Sequence, residues 1–297
     1  MERAKGESSI VKQRRRATVI NAVPIFLLIL CSILFAVSCA NPALEHLELG
    51  DVYSEQEQWD LAIDEYSKAI ELDPELALAY NNRGYAYGGK ERWDLAIADC
   101  DKAIELDPEL AMAYSNRGWA YGGKEQWDLA IADCNKAIEL DPELAVAYNN
   151  RGIAYGGKEQ WDLATSDLDK AIELDPKAAM AYINRGTTYC VREQWNLAIA
   201  DCDKAIELDP ELAEAYGIRG MVYCVKEQWD LAIIDFNRGI ELQCPDQDYL
   251  YYYRAVAYIE TGQQESAIAD LYKVVELSAN PELIQAAEQY IRELEGS

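Results

Sequence analysis

Between Ala77 and Pro108 the apolar side chains recur in two registers. Tyr80, Gly84 and Tyr87 fall three or four residues apart, and Ala96, Ile97, Cys100, Ala103 and Ile104 do the same further on. Side chains at that spacing share one face of a helix, so the stretch predicts two amphipathic helices in succession. Gly84 and Ala96 are small where the two helices of a hairpin would cross, because a larger side chain at either place would hold the backbones apart. Pro108 ends the second helix, since it has no N–H to donate and disfavours helix in the residue before it. Asp94, directly after Trp93, is placed to act as a cap or as a first-turn acid.

The same pattern returns along the chain. Trp59, Trp93, Trp127, Trp161, Trp195 and Trp229 each stand 34 residues after the last, and Pro74, Pro108, Pro142, Pro176 and Pro210 keep the same interval. Repetition at that period predicts a solenoid, in which each unit covers the open face of its neighbour. Tyr80, Gly84, Tyr87, Ala96, Cys100, Ala103 and Pro108 also match, in order, the signature of one family, and each unit resembles a tetratricopeptide repeat. The resemblance implies an all-α, right-handed superhelix of about seven helix-turn-helix repeats with a C-terminal capping helix. Its units are 43–76, 77–110, 111–144, 145–178, 179–212, 213–247 and 248–279, followed by the cap at 280–297. The first unit departs from the signature with His46 in an aromatic position. The seventh departs with Ala255 for glycine, Gln264 for tryptophan and Val274 for alanine. Terminal units of a solenoid have one unpaired face and drift in this way.

Residues 1–42 are a different material. Lys12, Arg14, Arg15 and Arg16 precede a charge-free stretch, 17–44, whose centre from Ile25 to Val37 is almost wholly apolar. This predicts an export or membrane segment with its basic end in the cytoplasm and the repeats on the other side. Ala36-Val37-Ser38-Cys39-Ala40 resembles the lipobox of bacterial lipoproteins, which implies acylation of Cys39 and a short tether beginning at Asn41; an uncleaved single-pass anchor and plain cleaved secretion are the alternatives.

Charge narrows the partner classes. The chain of 297 residues carries a net charge of −26. Residues 1–39 contribute six basic and two acidic groups, so the excess of acid lies in the repeats. Affinity for a phosphate backbone rests on cations, which excludes nucleic acid as a natural partner. Acid of this kind usually coats a solvated face, with attraction of a basic partner as the alternative.

Chemistry finds no foothold. Cys100, Cys134 and Cys202 share one slot, filled elsewhere by Tyr66, Leu168 and Phe236, and read as core residues. Cys190 and Cys224 lie on successive first helices, about 8–10 Å apart, too far for an easy disulfide. With His46 as the one histidine and no C-x-x-C pair, no metal or other cofactor is expected, and no nucleophile has a base beside it. Gly88-Gly89, Gly122-Gly123 and Gly156-Gly157 fall near helix ends and suit close packing rather than phosphate binding.

The family resemblance implies that the first helices line a concave groove. Carried over, its inward places are Asn81 and Tyr85, Ser115 and Trp119, Asn149 and Ile153, Ile183 and Thr187, and Met221, with Gly88, Gly122, Gly156, Cys190, Gly217 and Cys224 beside them. Such a surface suits an extended or helical peptide, or it merely packs between helices. Asn82, Asn116, Asn150 and Asn184 match the asparagine of a known carboxylate clamp, but the groove places contain no lysine. Arg83, Arg117, Arg151, Arg185 and Arg219 suit pairing with acids between repeats. The sequence therefore predicts a non-enzymatic, membrane-tethered scaffold for a protein or peptide. An accessory factor holding an envelope enzyme, or a self-associating rod, is the alternative.

Overall fold

A computed structural model of the protein describes residues 41–296. Its helices are α1 (Pro42–Glu55), α2 (Trp59–Leu72), α3 (Ala77–Gly89), α4 (Trp93–Leu106), α5 (Ala111–Gly123), α6 (Trp127–Leu140), α7 (Ala145–Gly157) and α8 (Trp161–Leu174). They continue as α9 (Ala179–Val191), α10 (Trp195–Leu208), α11 (Ala213–Val225), α12 (Trp229–Glu241), α13 (Gln247–Glu260), α14 (Gln264–Leu277) and α15 (Pro281–Glu295). The first fourteen form seven hairpins, each packed chiefly against itself and its neighbours, and α15 closes the last one.

Each hairpin is held together where its small residues meet. A Cβ on Gly84 would stand 3.0 Å from the Cys100 sulfur and 3.1 Å from the Ala96 carbonyl oxygen, so glycine lets α3 lie this close to α4 without displacing either. Gly118 meets Cys134 and Ala130 in the same way, and Gly220 meets the ring of Phe236. The cysteines of that slot are fully buried and free, and burial pushes the Cys100 and Cys134 thiols up to about 12.

Between a first helix and its second helix the chain turns through a left-handed residue. This residue is a glutamate in six hairpins, Glu57, Glu91, Glu125, Glu159, Glu193 and Glu227, with φ between 55° and 58°. Only the seventh hairpin uses glycine there, Gly262 at φ 75°. At the other end, Asp73, Asp107, Asp141, Asp175 and Asp209 cap the second helices in extended conformation before their prolines. The Asp107 carboxylate then accepts the Glu109 N–H at 3.0 Å and fixes the turn into α5. Asp94 is a first-turn acid rather than a cap, and its carboxylate is taken by Lys124 of the following repeat.

Arginines stitch repeat to repeat. Arg151 on α7 donates from Nε and Nη2 to Asp167 on α8 at 2.6 and 2.7 Å, and from Nη1 to Asn135 on the preceding second helix, α6, at 2.6 Å. Its guanidinium also lies over the rings of Tyr148 and Tyr155, 5.4 and 6.0 Å from their centroids. Arg83, Arg117, Arg185, Arg219 and Arg254 repeat the bidentate bond to Asp99, Asp133, Asp201, Asp235 and Asp270. A planar fork between two rings satisfies a buried carboxylate in a way lysine cannot. In the first hairpin Glu65 takes the acidic slot and receives Lys68 and His46, which explains the departure at His46.

Successive first helices touch one another directly, whereas no comparable contact joins successive second helices among the described residues. The array therefore curves with its first helices inside. At its end, α15 lays Leu283, Ala287 and Ile291 onto Ala255, Leu271 and Val274 and leaves its other face polar. No described helix is long and apolar enough to cross a membrane. The predicted signal or anchor and Cys39 lie outside the described residues.

Candidate partner-binding groove

The inner faces of α3, α5, α7, α9 and α11 carry the residues assigned to a groove from sequence, and the structure divides them. Tyr85 and Ile153 are about two-fifths exposed, and Thr187 is exposed with its hydroxyl donating to the Ile183 carbonyl at 2.9 Å. Trp119 and Met221 are half-buried. Asn81, Ser115 and Ile183 are buried where one first helix lies on the next, and Asn81 also lines the floor of a groove cavity.

Their polar atoms are consumed in a ladder of amides. Asn116 donates to Asn81 Oδ1 at 2.9 Å, Asn150 donates to the Ser115 hydroxyl at 3.2 Å, and Asn184 donates to Asn149 Oδ1 at 2.9 Å. Asn81 in turn donates to Asn82 Oδ1, and Asn82 donates to Asp51 Oδ1, each at 2.8 Å. The asparagines that match a carboxylate clamp are thus already engaged with neighbouring helices. Buried amides left without partners would be costly, and the ladder sets the register of one first helix on the next.

Aromatic packing fills the groove wall at its N-terminal end. Tyr85 meets Trp59 edge-on at 5.8 Å and Trp119 at 5.4 Å, and Trp119 meets Trp93 edge-on at 5.4 Å. Gly88 makes room for Trp119, because a Cβ there would collide with its six-membered ring at 2.3 Å. Gly123 likewise receives Trp93 of the preceding repeat, where a Cβ would come within 2.5 Å of the indole. The second glycine of each pair is therefore a seat for the tryptophan of the preceding repeat, and Gly88 is a ring seat as well. The indole of Trp119 also walls a cavity of about 210 Å3 with Gly122, Trp127, Asn150 and Ile153.

Sequence reasoning missed a second row on the same face. Leu78, Met112, Val146 and Met180 occupy the second position of successive first helices and are 36–49% exposed. Met112 and Val146 line a cavity of about 390 Å3 together with Asp51, Glu55, Tyr66, Asn82 and Tyr85. A further cavity of about 400 Å3, lined by Glu214, Met221, Asp246, Tyr249 and Tyr253 among others, lies between α11 and α13. The signal was present as one slot of the 34-residue period that stays apolar between two alanines, as in Ala77-Leu78-Ala79 and Ala111-Met112-Ala113.

The electrostatics of this face are one-sided. Asp51 Oδ1 accepts from the Tyr66 hydroxyl and from Asn82, both at 2.8 Å, which fixes the carboxylate on the cavity wall. Burial and the Asp51 carboxylate hold the Tyr66 hydroxyl far above its ordinary range, so it stays a donor. Cys190 and Cys224 are half-buried on the same helices, and desolvation pushes each thiol up to about 11. Among the described residues no group of His, Cys, Asp and Glu is placed to hold a metal ion.

Comparison with known proteins agrees with this geometry. A family model for the TPR repeat matches residues 50–91, and models for the tetratricopeptide repeat match 77–110, 111–144, 145–178, 179–212 and 249–281. No curated protein matches the chain in sequence. Among solved structures it is similar to a chain of the APC/C hetero-tetramer Cut9-Hcn1, at 17% identity and a TM-score of 0.69, over 86% of this chain and 53% of that one. This chain thus spans about half the length of that relative. It is similar to a tetratricopeptide repeat protein from Parabacteroides merdae at 18% identity and a TM-score of 0.58, over 86% of this chain and 99% of that one. It is also similar to pilF of Pseudomonas aeruginosa at 16% identity and a TM-score of 0.62, over 72% of this chain and 96% of that one. At such identities the likeness speaks of fold alone.

Proposed function

Since the chain belongs to the tetratricopeptide repeat family, whose members are scaffolds for protein–protein interaction, we propose that it captures a peptide or protein segment in its concave groove. The observation that carries this reading is the row of exposed apolar side chains Leu78, Met112, Val146 and Met180 on the inside of the array, next to cavities open to solvent. Adaptable methionine and aliphatic surface on a rigid wall suits side chains of an incoming segment. Met112→Glu combined with Met180→Glu is expected to abolish capture of the partner from a membrane extract while helical content and melting midpoint stay unchanged. Unchanged capture would place the partner on another face.

The array is, in this proposal, attached to a membrane through residues 1–42. The support is the sequence order of basic cluster, apolar stretch and Cys39. Cys39→Ser is expected to leave an unprocessed precursor without incorporated fatty acid; identical mass and labelling in the variant would remove lipidation and leave an uncleaved anchor or plain cleaved secretion.

One observation favours a second reading, self-association into a rod. Leu61, Leu95, Leu129, Leu163, Leu197 and Leu231, two places after each tryptophan, are all nearly half exposed and form a periodic apolar row outside the groove. Rows of this kind mark contact surfaces. Sedimentation across concentration distinguishes it: a rod reading requires oligomers that Leu129→Glu with Leu163→Glu dissolves.

A further inference from the structure

The groove is not electrically neutral, and its charge is arranged. At the five inward positions of every first helix, those of Leu78, Asn81, Tyr85, Gly88 and Gly89 in the second hairpin, taken in register with the arginines, the N-terminal hairpin supplies Asp51 and Glu55, the sixth supplies Glu214 and the seventh Glu260. The second to fifth hairpins supply only uncharged side chains there, and none of the seven supplies a lysine, arginine or histidine. The cavities of about 390 and 400 Å3 stand at these charged ends, one on Asp51 and Glu55 and the other on Glu214 and Asp246. Met112 and Val146 carry the first of these toward the middle of the array, and Ile153 and Met180, exposed like them, lie between the two. The basic side chains of the first helices point elsewhere, because the arginines are bound to aspartates of the second helices.

We infer that the occupant of the groove is an extended peptide segment with an apolar centre and a lysine- or arginine-bearing stretch at each end. This rests on the groove reading above and adds the chemistry of the ligand. A peptide carboxylate entering this groove would meet no cation and would be repelled at both ends, whereas an ammonium or guanidinium at either end meets a carboxylate. At the N-terminal end that carboxylate is already oriented by Tyr66 and Asn82, so little ordering is left for binding to supply. The span sets the length. From the first hairpin to the sixth there are five helix-to-helix steps of about 8–10 Å, or roughly 40–50 Å. An extended chain covers that distance with about 12–15 residues at about 3.3 Å each. The amide ladder beneath the floor fixes this spacing from the first hairpin to the fifth.

The test is a fluorescence-anisotropy titration of the full-length chain in neutral detergent at low salt. The probes are 15-residue peptides with one shared apolar centre and ends of Lys-Lys, Gln-Gln or Glu-Glu. The lysine peptide is expected to bind about tenfold or more tighter than the glutamine peptide, with the glutamate peptide weakest. Asp51→Asn with Glu55→Gln, and separately Glu214→Gln, should each weaken the lysine peptide about three- to fivefold and leave the glutamine peptide unaffected. Neutralising Glu105 and Glu139 on the second helices, the same change in net charge as the Asp51 and Glu55 double variant, should leave all three unaffected.

Equal affinity for the three peptides, lost in Met112→Glu with Met180→Glu, would overturn the charge selection while the groove reading stands. Lysine-peptide binding that responds to Glu105 and Glu139 but not to the groove carboxylates would overturn both, since the acidic coat would then be the site. Failure of all three peptides to bind, which occupation of the groove by the chain's own basic and apolar N-terminal residues would produce, also overturns the proposal.

Discussion

At the scale of single residues, the turns inside the hairpins carry the least expected feature. A glutamate at φ near 57° sits in a region that side chains with a Cβ adopt at a cost, and Gly262 relieves that cost in one hairpin only. Glu125→Gly is therefore expected to raise stability by about 0.5–1 kcal/mol, the usual benefit of glycine at a left-handed helix end net of its greater freedom when unfolded. Thermal melts check it, and a loss of stability would mean that the Glu125 side chain makes a contact worth more than the strain. The buried charge of Asp167 yields the opposite kind of prediction. Arg151→Ala leaves that carboxylate with no cation between two helices and should cost about 3–5 kcal/mol. Replacing both partners, Arg151→Met with Asp167→Leu, should recover most of the loss, because the desolvation penalty goes with the charges. If the double variant is as unstable as the single one, the two stacked tyrosines rather than the pair supply the stability.

At the scale of the helix pair, the sequence carried nearly all of the architecture, for a physical reason. Each hairpin buries its own small-residue seam, so the identity of Gly84, Ala96, Cys100 and Ala103 reports a local contact, and the 34-residue period multiplies the signal. What was not legible depends on the neighbouring hairpin. Asn81 and Ser115 read as groove residues from their register, yet the next first helix covers them, and only the packing of α3, α5 and α7 decides that. The row through Leu78 was hidden by the reverse effect, since an apolar side chain flanked by alanines reads as core until its neighbours fail to cover it. The left-handed glutamates gave no sign at all, because glutamate is not the residue that marks such a turn. The closing helix was expected from the family resemblance, at 280–297. Its contribution is local too: Ile291→Ala removes a nearly buried side chain from the cover of α14 and should cost about 2–4 kcal/mol. Hydrogen exchange should show that loss concentrated in α13, α14 and α15, as expected where each unit touches only its neighbours. A uniform change along the array would show instead that the seven hairpins unfold as one.

At the scale of the whole molecule, the acid of the repeats and the stacking of the repeats act against each other. Each hairpin brings a similar set of exposed carboxylates, and stacking sets these copies about 8–10 Å apart along the array. The screening length is about 30 Å at 0.01 M salt and about 10 Å at 0.1 M. At low salt every hairpin therefore feels the charge of several others, whereas at moderate salt it feels little beyond its nearest neighbour. The attractive pairs respond differently. The arginine–aspartate spine is largely shielded from solvent and loses little to screening, and the exposed lysine pairs with Asp60, Asp94 and Asp128 are each worth little from the start. Repulsion is thus the term that salt removes. Raising sodium chloride from about 0.01 to 0.1 M should increase the melting midpoint by about 2–4 °C, the shift that about 1 kcal/mol produces in a chain of this size. A falling midpoint would mean that the lysine bridges between successive repeats, and not the spine and the glycine-seated rings, hold the array in register. The same titration weakens binding of a cationic segment, so stability and capture should move in opposite directions with salt if acid governs both.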